Sequence, residues 1–165
     1  MSFPKSASVL PDVRRVLAVF AHPDDIDFGC TGTIAGWVDE GVEVSYLIIA
    51  PGDAGGFGDI PRAQMPRLRE AEQRAAAEAV GVRQVDFLDG YADGTLTPTL
   101  GLRRDIAVDV TDRFDSKVAA MRAHLSQTGH LDVPAWIRDR LTTVAAEAGL
   151  PPGRLAEAFT VLRTS

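Results

Sequence analysis

The feature that most constrains this sequence is a repeated change of period. Short, almost wholly apolar runs alternate with segments whose apolar residues recur at helical spacing. Arg15-Val16-Leu17-Ala18-Val19-Phe20 is apolar after its first residue and ends in a polar cluster, the pattern of a strand buried on both faces. Residues 31–40 follow with Ile34, Ala35 and Trp37-Val38 at helical spacing, and Gly41 stands where a helix end is capped. Residues 42–50 form a second apolar run, and residues 51–58, four of eight being Gly, form a loop at its exit. Residues 66–80 are rich in Ala, Arg and Glu and predict a helix closed by Gly81, with a third strand over 85–88 and a glycine-marked turn over 89–94. Strand, helix, strand, helix, strand predicts an α/β fold with a parallel sheet and right-handed crossovers.

The second half follows another pattern. Residues 102–105 are too short for a helix, and 107–110 are a brief apolar run. Helical patterns then cover 114–125 and 133–148, the first with Phe114, Val118, Met121 and Leu125 on one stripe. Leu150-Pro151-Pro152-Gly153 breaks the chain before a terminal segment, 154–162. Lys117, Arg122 and Arg140 read as solvated helix positions, and Trp37 and Trp136 as core residues. A length of 165 residues fits one domain, which at this size buries roughly 68–70% of its unfolded surface and requires no staple. With 45% hydrophobic and 24% charged residues and a net charge of −6, disordered, collagen-like and coiled-coil classes are excluded. The 17 basic residues are almost all Arg and form no cluster, which argues against nucleic acid as a partner. Cys30 stands alone, so no internal disulfide forms. Met1-Ser2-Phe3-Pro4-Lys5 does not open a signal-like apolar run, and no stretch approaches the ~18–20 apolar residues of a membrane span. The expectation is a cytoplasmic protein with no membrane partner.

In an open α/β sheet, ligands sit at the carboxyl ends of the strands. Ala21-His22-Pro23-Asp24-Asp25 puts an imidazole and two carboxylates at such an end, with Pro23 restricting the backbone. The two carboxylates repel unless a cation joins them, and an imidazole with one carboxylate suits Zn²⁺. The other Asp is then available to take a proton from water. On pattern alone, an Asp-rich helix-capping turn with a surface His explains the same residues. Arg69 reads equally as a surface residue paired with Glu70 or Glu72, Asp93 beside Gly94 as a turn residue, and Asp53 as a turn or pocket-mouth residue. His124, at the flank of the apolar stripe, and His130, after Gly129, read as structural or solvated, and Cys30 as a small packing residue.

The first turn, with Gly29-Cys30-Thr31-Gly32 and the helix after it, closely resembles the PIG-L/LmbE family of zinc-dependent N-acetyl-sugar deacetylases. The likeness continues through residues 69–82, through Asp89-Gly90-Tyr91-Ala92-Asp93-Gly94-Thr95-Leu96, and through 117–127. It implies a Rossmann-like parallel sheet flanked by helices in a single domain over 1–165, truncated relative to the family. It further implies His22 and Asp25 as metal ligands, Asp24 as general base, Arg69 and Asp93 as sugar contacts, Zn²⁺ as cofactor, and a small-molecule N-acetyl-sugar conjugate as partner. Family members also carry a segment with a His-Pro-Asp-His-like motif, which supplies a third metal ligand and a second catalytic His. Here residues 102–107 run directly into Val108-Asp109-Val110-Thr111, so at least a crossover unit of roughly 30 residues is missing between 107 and 108. Two protein ligands imply zinc that is weakly bound or absent.

Two function classes stay open: a zinc-dependent N-acetylglucosaminyl deacetylase-like hydrolase, and a non-catalytic remnant or binding module of the same fold. A dinucleotide binder is disfavoured, because Gly29, Gly32 and Gly36 have the wrong spacing for G-x-G-x-x-G and no P-loop motif exists.

Overall fold

The computed structural model describes residues 12–56, 60–93 and 106–160. Three parallel strands, β1 (Arg15–Phe20), β2 (Glu43–Ile48) and β3 (Gln84–Phe87), pair in the order β1-β2-β3. Val16 lies opposite Val44, Phe20 opposite Ile48, and Ile48 opposite Phe87. A short helix α1 (Asp25–Gly29) and α2 (Thr31–Asp39) carry the chain from β1 to β2, and α3 (Met65–Ala79) carries it from β2 to β3. The parallel sheet flanked by helices is therefore as expected. Helix α3 begins with Pro66 in its first turn, where a missing N–H costs nothing, and the chain leaves it through Gly81 at φ 79°.

The remaining described elements are β4 (Ile106–Asp109), α4 (Phe114–Ala123), α5 (Leu125–Thr128), α6 (Val133–Glu147) and β5 (Ala156–Phe159). β4 and β5 pair antiparallel as a separate two-stranded sheet. The terminal segment expected after the Pro-Pro-Gly break is thus a strand over its central part. Residues 102–105 lie outside the described residues. The junction expected between Ala107 and Val108 falls within β4, where the two are consecutive and pair with Ala158 and Glu157.

Strand β1 differs from its expected burial on both faces. Val16, Ala18 and Phe20 pack on the core with Ile26, Ile34, Tyr46 and Val85, whereas Leu17 and Val19 are 61% and 48% exposed. The reason is topological. Among the described residues β1 is an edge strand bonded only to β2, and helices cover one face of the sheet. The apolar run signals strand, but burial of its second face depends on what packs there from other parts of a fold.

The two halves are joined by a buried ion pair. Lys117, expected on a solvated face, is 2% exposed, and its Nζ lies 2.8 Å from Glu157 Oε1. It also donates to the Asp27 and Phe28 carbonyls at 2.8 and 3.2 Å. Glu157 in turn accepts from the Gly32 and Thr33 N–H groups at the start of α2 and from the Thr33 hydroxyl. Gly32 is needed at this crossing, because a Cβ there would lie 2.9 Å from Val110 Cβ. Arg122 and Arg140 are exposed as expected.

Removing one partner of a buried pair strands the other charge, so Lys117→Met is expected to lower unfolding stability by about 3–5 kcal/mol in urea titration. Adding Glu157→Gln to that variant removes the stranded charge, and part of the loss should return.

Candidate active site

β1 delivers the chain into the turn 21–24 at the carboxyl edge of the sheet. His22 and Asp25 face each other there. The Asp25 Oδ2 accepts from the His22 backbone N–H at 3.0 Å and lies 3.3 Å from His22 Nδ1. The other ring nitrogen of His22, Nε2, lies 3.6 Å from Asp93 Oδ1. Asp93 is anchored by the Gly52 and Ala54 N–H groups, at 3.0 and 2.9 Å, which ties the exits of β2 and β3 to that of β1.

Asp24 sits on the other side of the turn in an unusual backbone state, φ 88° and ψ −31°. It is the single non-glycine residue with positive φ among those described. Its carbonyl accepts from Asp27 and Phe28 at the start of α1, and its own N–H donates to Gln73 Oε1 at 2.9 Å. Its carboxylate Oδ2 lies 2.9 Å from Arg69 Nη2. Burial pushes the Asp24 carboxyl up to about 6 even though the Arg69 guanidinium pulls it down.

Arg69 lies beneath the site. It is buried, and its guanidinium donates to the Gly52 and Pro23 carbonyls as well as holding Asp24. Gly52 admits it by two means, a φ of 73° and the lack of a Cβ, which would lie 2.4 Å from Arg69 Nη1. Glu70 pairs with Arg74 and Glu72 caps Ser126, so neither partners Arg69 in the manner of a surface helix pair. Asp53 pairs with Arg62 at 2.6 Å, and this contact holds its carboxyl below the usual range. These two residues, with Pro51, Pro66, Gly90 and Tyr91, border an open depression of about 650 Å³ beside the site.

Sequence reasoning missed the layer below. Asp27 is fully buried and accepts from Thr31 Oγ1 at 2.7 Å and from Gln73 Nε2 at 2.8 Å, while His124 Nε2 lies 2.8 Å from its Oδ2. A signal for this layer exists in α3. Met65, Arg69, Glu72, Gln73, Ala76 and Ala77 share its buried face, so the helical phase set by the alanines puts three polar residues toward the core.

His22 and Asp25 fit zinc in donor type and in spacing. Two donors of a tetrahedral ion at ~2.0–2.1 Å lie roughly 3.3–3.4 Å apart, and Nδ1 and Oδ2 are 3.3 Å apart here. Among the described residues no group of three His, Cys, Asp or Glu side chains is arranged to hold an ion. His124 is committed to Asp27 and His130 is exposed. The Cys30 thiol is held protonated by burial.

A helix-flanked parallel sheet carrying an imidazole–carboxylate turn at the exit of its first strand defines a Rossmann-like α/β protein with a polar site at the strand ends. The chain belongs to the PIG-L family, described as GlcNAc-PI de-N-acetylase, whose pattern matches residues 17–133. It is similar to a diacetylchitobiose deacetylase of Thermococcus kodakarensis, with 31% identity over 73% of this chain and 45% of that one. It is also similar to a probable N-acetyl-alpha-D-glucosaminyl L-malate deacetylase 2 of Bacillus cereus, with 38% identity over 50% of this chain and 39% of that one. The chain thus spans less than half the length of these relatives. In fold it matches the N,N'-diacetylchitobiose deacetylase of Pyrococcus horikoshii at a TM-score of 0.80 and 19% identity, covering 94% of this chain and 86% of that one. The 4-carboxy-2-hydroxymuconate hydratase GalB of Pseudomonas putida matches at 0.63 and 16% identity, covering 93% and 99%. No helix among the described residues is long and apolar enough to cross a membrane.

The raised Asp24 value has a consequence for stability. The folded carboxyl holds its proton up to about pH 6 against an ordinary value of 3.8, so its contribution is full below pH 3.8 and is lost as pH rises through about 6. Metal-free protein is expected to lose on the order of 2–3 kcal/mol from this group between pH 4 and 7. Asp24→Asn should flatten that part of the profile in denaturation measured across pH, and Asn tolerates the positive φ.

Proposed function

We propose that this chain is a hydrolase that removes the acetyl group from an N-acetylglucosamine conjugate, with His22 and Asp25 holding Zn²⁺ and Asp24 acting as general base. The observation that carries the reading is the juxtaposition of two convergent donor atoms, 3.3 Å apart, with the neighbouring buried carboxyl of Asp24 in the same turn. When bound there, the ion supplies Lewis-acid chemistry, polarising the acetamide carbonyl and acidifying water. Asp24 takes the proton of the attacking water at the carboxylate oxygen not engaged by Arg69. The water oxygen bonds to the carbonyl carbon, the carbon–nitrogen bond breaks, and the proton held by Asp24 passes to the departing amine, giving acetate and a free amino sugar.

Arg69 contributes by fixing the orientation of Asp24. Asp93, 3.6 Å from the His22 ring, would meet the sugar only through the lone pairs left over by the Gly52 and Ala54 N–H groups it already accepts from. The relatives' activities on chitobiose and malate conjugates of N-acetylglucosamine support this substrate class. A second reading, a binding module without turnover, is favoured by the donor count, since the described residues offer two convergent protein ligands where a catalytic zinc commonly has three.

Two measurements on the purified chain separate these readings: zinc stoichiometry, and acetate release from an N-acetylglucosamine conjugate. His22→Ala and Asp25→Ala are expected to lose the ion. Asp24→Asn is expected to keep it and lose about 10²–10⁴ in rate. Equal zinc loss in all three variants would remove Asp24 from the base role. Sugar binding with full zinc and no acetate release would favour the binding module.

A further inference from the structure

Gln73 is fully buried in α3, and its side-chain amide bridges two carboxyl-bearing residues of the first turn and helix. The Asp24 backbone N–H can only donate, so the amide atom facing it, at 2.9 Å, is the oxygen. The amide nitrogen then faces Asp27 Oδ2 at 2.8 Å, an acceptor, and the orientation of the amide is settled by chemistry at both ends. Asp27 is itself clamped by Thr31 Oγ1 and His124 Nε2 at 2.7 and 2.8 Å. Gln73 is therefore held on a rigid buried base and holds Asp24 in turn.

What it holds is strained. A non-glycine residue in a sparsely populated backbone region is strained and persists where its surroundings over-determine it. At Asp24 the carbonyl is fixed by the start of α1, the carboxylate by Arg69, and the N–H by Gln73. Without Gln73 that N–H loses its hydrogen-bond partner, and the residue is released toward ordinary backbone angles. Such a rotation carries the carboxyl out of its place beside Arg69.

We propose that Gln73 is a positioning residue that locks the strained backbone of Asp24 and so aims its carboxylate at the reacting centre, an inference that rests on the hydrolase reading above. Gln73 touches neither His22 nor Asp25 in any hydrogen bond described here, so its effect falls on the placement of Asp24 and leaves the ion site intact.

The test uses the full chain with Gln73→Met, which keeps the side-chain length and removes both bonds, and with the exchanged pair Gln73→Glu/Asp27→Asn. In the exchanged pair an amide at 27 donates to a carboxylate at 73, which again accepts from the Asp24 N–H; His124 Nε2, facing the same amide nitrogen, then accepts in its Nδ1-protonated tautomer, and the network keeps its charge. Amide hydrogen exchange at Asp24 is expected to quicken more than about tenfold in Gln73→Met and to return toward native in the exchanged pair. With an N-acetylglucosamine conjugate, kcat is expected to fall about 10–100-fold in Gln73→Met with KM and zinc affinity little changed, and to recover in the exchanged pair. Native exchange at Asp24 in folded Gln73→Met would overturn the proposal, as would zinc affinity falling in step with kcat. Failure of both variants to fold would overturn it too, because Gln73 would then serve the fold and not the placement of Asp24. If the native chain releases no acetate, the hydrolase reading fails, and the exchange measurement alone decides whether Gln73 holds Asp24.

Discussion

A carboxylate with no solvent exposure must be met by donors on every side, and Asp27 imposes that condition on most of this molecule. Its two oxygens are engaged by Thr31 from α2, Gln73 from α3 and His124 from the junction of α4 and α5, while Lys117 of α4 binds its carbonyl. Residues of three helices, α2, α3 and α4, therefore converge behind the short helix α1. The same requirement explains why the apolar stripe expected to run through Leu125 stops early. The chain bends at His124, with ψ 60°, as its ring reaches Asp27; Leu125 is left 70% exposed, and α5 starts afresh. Helical periodicity yields where a buried charge has to be partnered.

This buried layer also sets the chemistry above it. The first turn offers its ligand-type side chains, His22 and Asp25, on the half-exposed side, and its most buried carboxylate, Asp24, on the side facing Arg69 and Gln73. Two adjacent aspartates thus enter different environments. Asp24 has its proton affinity raised by burial, whereas Asp25 is turned toward an imidazole. The difference between these neighbouring residues is made by what packs beneath them, since residue type is the same for both.

The fold itself does not select a reaction. A deacetylase and a hydratase both share this architecture at low identity, so function has to be argued from the site. The apolar residues Leu17 and Val19 on the open face of β1 make the same point about architecture. Parallel strands normally carry helices on both faces, and the described residues of this chain supply them on one.

Local order was legible because it is written in short periods. Buried runs of four to six residues, helical spacing over 66–80, and the glycines that end helices appear as α3, the three parallel strands and the turns between them. The turn 21–25 was legible as a candidate site because it sets an imidazole and two carboxylates, a mixed N/O donor set, at the end of a strand. Arg69, Lys117, Gln73 and His124 were not legible in their roles. An arginine or lysine on a helix among glutamates has the pattern of a solvated side chain, and its burial becomes known only once Pro23, Asp24 or Glu157 arrives from another part of the chain. The sequence by itself therefore determined the elements, their order and the chemistry available at the first turn, all consequences of periodicity and residue type within a few positions. Tertiary structure alone decided which polar groups meet in the interior, which face of β1 stays open and which of two adjacent aspartates is buried, because each depends on contacts between residues tens of positions apart.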